Sequence, residues 1–427
     1  MTSTSGASLQ YAQALKLLQS GGGNTGASMN GGPSPSPVSP GTAKVDAAIQ
    51  AILDLLLDTE ASRGAPVQGY VKVEGNGQNN TLVGDGSSVL VHGGGGDDRI
   101  VVRGRGLDEA WRGAYWPADA YRPAAARWNT GGEGNDVMSI ESHDRVHRTY
   151  GDGGDDIISI WSPYDTDAED PGVLMRHAVV HTGGGAGDDT VIITAIGSVF
   201  NTEGDTGDDT LMITGGYNRN VTSAAGDVGP SDDTGSFVSS GLVHATDGGE
   251  GDDTIEILAR KVSHTFGGDG DDTIRINAYT ASLTRGGDGD DTIEVTAAGI
   301  GSIQGGKGDD TIVLNNTSGS ISTIAMRAGD GHDVVTTNSA LAITWGGSKS
   351  LDMSKASFEW IEADTLRISF EGADDSVTVH FTGDMAGKSF AVDHYGRAAF
   401  VIRRNDTEAP WGIIADGFMQ TAITTEI

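Results

Sequence analysis

The chain predicts an all-β solenoid, a fold of stacked coils, and three features carry that expectation. A glycine-rich acidic turn recurs: "GGEGDDTIEI" starts at Gly248, "GGDGDDTIRI" at Gly267 and "GGDGDDTIEV" at Gly286, a step of 19 residues each time. After each turn the apolar residues alternate, as in Ile255 and Ile257, Ile274 and Ile276, Ile293 and Val295, and Ile312 and Leu314. That period of two puts them on one face of a strand. Identical columns at a fixed period mark architectures whose units bury their apolar face only by stacking.

The elements follow in order. Residues 1–69 form an N-terminal segment of short helices and linker. "LQYAQALKLL", 9–18, suits a short helix, and the Gly/Ser/Pro stretch 20–42 has too little apolar content to pack. In 43–60, Val45, Ile49, Ile52, Leu53 and Leu56 recur at helical spacing. That stripe reads as a helix that caps the next domain, or as a secretion or partner-binding helix. The first residues lack the basic start and apolar core of a cleaved signal peptide.

Residues 70–345 are the repeat region, and 346–427 read as a C-terminal β cap with a tail. Acidic turns end at Asp98, Asp136, Asp156, Asp189, Asp209, Asp253, Asp272, Asp291, Asp310 and Asp333. "GNGQNNTLV", 75–83, looks like a degenerate first copy. A second strand in each coil has its own columns, Val146, Val179, Val199, Val243 and Val262, then Thr149, Thr182, Thr202, Thr246, Thr265 and Thr284. Its turn carries no acidic motif, so metal turns are expected on one edge only.

The turn has a chemical logic. Glycine admits positive φ and close approach of carbonyls. Carboxylates and turn carbonyls are hard oxygen ligands that suit Ca²⁺. The ten acids above are therefore candidate ligands for multiple Ca²⁺ ions. On these in-register copies of "GGxGxD" the region resembles the repeats-in-toxin (RTX) family. The resemblance implies a right-handed parallel β-roll or β-helix with Ca²⁺ bound in its turns. It also implies secretion through the type I machinery by an uncleaved C-terminal signal, and the tail 405–427, with no Lys or Arg, is placed where that signal belongs. "TLRISFEGADDSVTVHF", 365–381, resembles the segment that closes such rolls. The Gly- and Ser-rich, Cys-free N-terminus resembles harpin-type proteins exported by type III systems, which keeps a second route open.

Composition narrows the partners. A formal net charge of −33 disfavours nucleic acid and anionic membrane. No apolar run approaches the length of a membrane span, and the absence of cysteine excludes disulfides and thiolate metal sites. No P-loop, HExxH or GxSxG motif occurs.

Three longer steps interrupt the repeat, with inserts at about 104–128, 162–175 and 215–239, all after a first strand and before a second. They carry Trp111, Tyr115, Trp116, Tyr121 and Tyr164. The neighbouring second strands carry His147, Arg148, His181, Asn201, His244 and His264. One reading is that the inserts cover an apolar patch that includes Ile192 and Met212. The other is a ligand groove, since aromatic faces with Arg and His suit sugar rings and uronate carboxylates. The chain therefore reads as a secreted, extracellular calcium-binding module that engages acidic extracellular polysaccharide or a cell surface. The alternative is a calcium-dependent lyase or epimerase, with Arg148 neutralising a uronate and His181, His147 or an insert Tyr as base.

Overall fold

The computed structural model describes residues 40–60, 67–105, 125–143, 145–162, 179–195, 197–215, 241–345, 353–395 and 399–407, with short strands at 414–415, 418–419 and 423–426. The candidate helix at 9–18 lies outside these residues, as does nearly all of the three inserts, including Trp111, Tyr115, Trp116, Tyr121 and Tyr164. Contacts divide the chain into two compact units, one holding the coils up to residue 215 and the other starting at Leu242. Each unit is an all-β parallel solenoid.

In the first unit the strands that follow the acidic turns form a front sheet. Arg99–Gly104, Val137–Ser142, Ile157–Ser162, Thr190–Ala195 and Thr210–Gly215 lie side by side, all parallel. The strands that precede the turns form a back sheet: Val67–Glu74, the second half of Thr81–Gly95, Ala126–Glu133, Val146–Gly153, Val179–Ala186 and Val199–Thr206. The expected columns pair, Val199 with Val179 and Thr202 with Thr182. Met138, Ile158, Val191 and Leu211 from the front sheet and Val146, Val179 and Val199 from the back sheet are fully buried between the two.

The second unit repeats the plan with Thr254–Asp269, Thr273–Asp288 and Thr292–Lys307. These strands run unbroken round the edge opposite the acidic turns, so that edge is a bend within a strand. Outward positions in this front sheet are charged, and Arg275 sits between Glu256 at 3.5 Å and Glu294 at 3.8 Å.

The first unit's front sheet breaks that alternation. All six residues of Thr190–Ala195 are buried, because a helix, Pro40–Glu60, covers its outer face. Val45, Ala48, Ile49 and Ile52 pack on Trp161 and Ile192, with Val137, Ile157 and Met212 at the margin. Lys44 Nζ donates to the Asp208 carbonyl at 2.6 Å near one end, and Arg99 meets Asp58 at 3.1 Å near the other. The helix is thus a lid along the sheet, and it packs on Ile192 with Met212 at its margin; the inserts expected there lie almost entirely outside the described residues. About 21 residues at 1.5 Å each span roughly 30 Å, ample for the five strands beneath. Among the described residues no helix is long and apolar enough to cross a membrane.

The cap follows from the last coils of the second unit. Ser376–Phe381 pairs parallel with His332–Thr337 and so extends the front sheet, then turns antiparallel through Thr365–Phe370 to Ala356–Glu362. Ala399–Arg404 pairs antiparallel with Leu341–Trp345 in the back sheet. The last coil's strands in both sheets are thereby paired with the cap.

Candidate metal centre

The repeated turn is built on close approach between coils. Gly268 has φ +136°, and a methyl group there would lie 1.9 Å from the Gly249 carbonyl oxygen of the preceding coil. At Gly268 glycine supplies both the angle and the space, while Asp152 and Asp205 hold the same turn position in two other coils with φ of 78° and 80°. The strand then begins, and the last Asp of each turn points inward, as Asp98, Asp136, Asp156, Asp189, Asp272, Asp291 and Asp310 are each 1% exposed or less.

These carboxylates form a ladder. The backbone N–H of Asp98 donates to Asp136 Oδ1 at 2.6 Å, that of Asp136 to Asp156 at 2.7 Å, Asp156 to Asp189 at 2.7 Å and Asp189 to Asp209 at 2.7 Å. Asn80 stands where the motif has Asp, and its N–H donates to Asp98 Oδ1 at 2.6 Å, so the degenerate first copy is a real turn. In the second unit Asp253, Asp272, Asp291 and Asp310 donate in turn to Asp272, Asp291, Asp310 and Asp333 at 2.9, 2.8, 2.9 and 3.2 Å.

The acid before each inward Asp makes a second ladder running the other way. Asp271, Asp290 and Asp309 donate N–H to Oδ1 of Asp252, Asp271 and Asp290 in the preceding coil at 2.8 Å. Asp188 and Asp208 do the same to Asp155 and Asp188 at 3.0 and 3.1 Å. Sequence reasoning missed this column as a structural partner, although the repeated Asp-Asp pair displayed it.

One carboxylate oxygen per coil is left over. Oδ2 of Asp98, Asp136, Asp156, Asp189, Asp272, Asp291 and Asp310 is buried without a hydrogen-bond partner. It faces the first glycine of its own turn and a carbonyl of the next coil. A methyl on Gly93 would lie 2.4 Å from Asp98 Oδ2 and 2.0 Å from the Gly131 oxygen, and one on Gly151 would lie 2.1 Å from Asp156 Oδ2 and 2.4 Å from the Gly184 oxygen. Burial pushes these acids up: Asp136 and Asp310 to about 6, Asp189 and Asp272 to about 7, Asp156 and Asp291 to about 8. Neighbouring carboxylates add to the rise, while the N–H donated to each acid opposes it. A buried anionic oxygen with no partner demands a cation or a proton. Among the described residues no three acidic or imidazole side chains converge on one point. The oxygens that come close are instead a carboxylate from one coil and a backbone carbonyl from the next. Such hard oxygens suit a flexible-geometry divalent cation such as Ca²⁺ and offer nothing to a soft metal.

The last turn differs. Asp333 is pushed up to about 8 by burial and the nearby Asp310. Asp375, from the cap, accepts the N–H of Gly329 at 3.0 Å and of Gly331 at 3.1 Å. It closes the turn that has no further coil behind it, a role that "GADDSV" did not announce.

The second group of candidates lies on the outer face of the first unit's back sheet. Trp128, Arg148, His181 and Asn201 occupy one column of adjacent strands, all with φ between 53 and 62°. This left-handed residue is a bulge, which leaves two consecutive side chains outward before the Thr column re-enters the core. His147 and His181 meet edge to face at 5.5 Å, and Arg148 lies over the Trp128 ring at 4.1 Å. Burial, Arg148 and His181 hold the His147 imidazole below its ordinary value. The structure therefore joins His147, Arg148, His181 and Asn201. His244 belongs to the second unit, where it meets His264 at 4.5 Å and Ser263 at 2.9 Å.

No protein-family model matches the chain, and no curated protein matches it.

Proposed function

We propose that the chain is a calcium-binding β-roll of the repeats-in-toxin kind, secreted through the type I machinery, which orders when it meets Ca²⁺ outside the cell and serves there as an adhesive or structural module for polysaccharide or cell surface. The row of buried, partnerless Asp oxygens beside glycine carbonyls supports this reading most directly. Without a cation each coil holds a costly buried anion; with one, the same oxygens become ligands and binding energy becomes folding energy. The millimolar affinity range of extracellular calcium modules matches a protein unordered inside the cell and ordered outside.

Calorimetric titration of metal-stripped protein, followed in parallel by circular dichroism, tests the reading. Ca²⁺ is expected to bind at several sites and raise the strand signal, and Asp272→Ala to lower the stoichiometry. An unchanged β spectrum with no heat of binding refutes it.

The second reading, a polysaccharide lyase or epimerase, is favoured by one observation: burial and the Arg148 guanidinium beside it hold the His147 imidazole below its ordinary value. Incubating calcium-loaded protein with polyuronates and following unsaturated-uronate absorbance and product stereochemistry tests it. Unchanged polymer excludes it for that substrate.

A further inference from the structure

We infer that the outer face of the first unit's back sheet binds a uronate-bearing polysaccharide, laid along the solenoid axis across Tyr70, Arg127, Trp128, His147, Arg148 and His181. This rests on the coils being folded, and so on the calcium reading above, but it names the ligand and its place.

The chain has 27 basic residues against 60 acidic ones. Several guanidinium groups pair with a carboxylate, as Arg105 does with Asp85 at 2.6 Å and Arg403 with Asp393 at 2.6 Å, whereas Arg285 lies over Phe266 at 5.9 Å. Among the described residues Arg127 and Arg148 have no acidic partner. Each lies instead over an aromatic ring, Arg127 at 5.0 Å from Tyr70 and Arg148 at 4.1 Å from Trp128. Stacking fixes the plane of a guanidinium while leaving its in-plane N–H donors free, the arrangement that takes a carboxylate in bidentate fashion. Both rings are also accessible, Tyr70 at 52% and Trp128 at 47%, and sugar rings pack on such surfaces.

The order along the axis matters as much as the composition. Tyr70 lies on Val67–Glu74, Arg127 and Trp128 on Ala126–Glu133, His147 and Arg148 on Val146–Gly153, and His181 on Val179–Ala186. With the second half of Thr81–Gly95 intervening, these are five neighbouring strands, about 19 Å at roughly 4.8 Å per spacing. Rings and cations alternate along that length, which matches a polymer whose rings and carboxylates alternate. Two permanent cations in a chain of net charge −33 are too few for a phosphate backbone.

The test uses full-length calcium-loaded protein and galacturonate oligomers too short to gel. Calorimetry should detect binding, with neutral dextran oligomers and duplex DNA giving none. Arg127→Gln and Arg148→Gln should each weaken binding about ten- to a hundredfold, with the calcium-induced circular dichroism unchanged. Trp128→Ala should lose affinity likewise. Calcium bridging between two acidic polymers would bind the oligomers equally in wild type and in the arginine variants, and that result overturns the inference. So does tighter binding of DNA, or no binding of oligouronate by protein shown to be folded. If the spectrum proves independent of Ca²⁺ while the arginine variants still lose the oligomer, the calcium reading fails and this site stands.

Discussion

Removing divalent cations should make the roll fold in mild acid and unfold at neutral to alkaline pH, the reverse of ordinary acid denaturation. Asp272 and Asp291 rise from 3.8 to about 7 and about 8 in the folded chain. A carboxyl whose folded value exceeds its unfolded one stabilises the fold while protonated. That contribution is complete below the unfolded value and is lost as pH climbs through the folded one. At about 1.36 kcal/mol per pH unit, the two acids cost about 4 and 6 kcal/mol once ionised. Together that equals a typical whole-domain stability of about 5–15 kcal/mol. Circular dichroism of metal-stripped protein should therefore show strand at about pH 5 and coil at about pH 8, with Ca²⁺ restoring strand at the higher value. Asp272→Asn, a neutral isostere of the protonated acid, should move the transition upward. Asp271→Asn removes the same charge from an exposed neighbour, a minor contributor to the rise of both acids, and should move it the same way but less. Equal strand content at both pH values without metal, or equal effects of the two substitutions, would refute the reasoning.

Gly268→Ala should destabilise calcium-loaded protein by about 3–5 kcal/mol, since a methyl at φ +136° would sit 1.9 Å from a carbonyl oxygen. Gly301→Ala, with no atom within 4 Å of the new methyl, should change the melting temperature by no more than about 1 °C; equal shifts in calorimetric melting would contradict the coil geometry. Ile52→Ala removes a fully buried side chain of the helix lid and should cost the first unit about 2–5 kcal/mol. Exchange of amide hydrogens should then quicken in the front sheet around Ile192, and unaltered protection there would mean the helix is not the cover.

Much of this protein was legible in its sequence because the repeat is local chemistry written many times. Each turn needs glycines and an inward Asp, and each strand needs alternating Ile or Val. The position of Ile274 over Ile255, or of Asp272 beside Asp253, therefore followed from counting residues. What no single coil contains was settled by tertiary structure. Whether the outward Ile157, Ile192 and Met212 met water, an insert or a helix depended on where Pro40–Glu60 docks, a contact between segments more than a hundred residues apart. Which oxygen of Asp136 or Asp291 is satisfied and which is left without a partner depended on the N–H of the preceding coil. The left-handed bulge at Trp128, Arg148 and His181 turned scattered residues into a column. These outcomes arise between coils, where spacing and angle decide which polar groups meet, and a linear pattern specifies only the coils themselves.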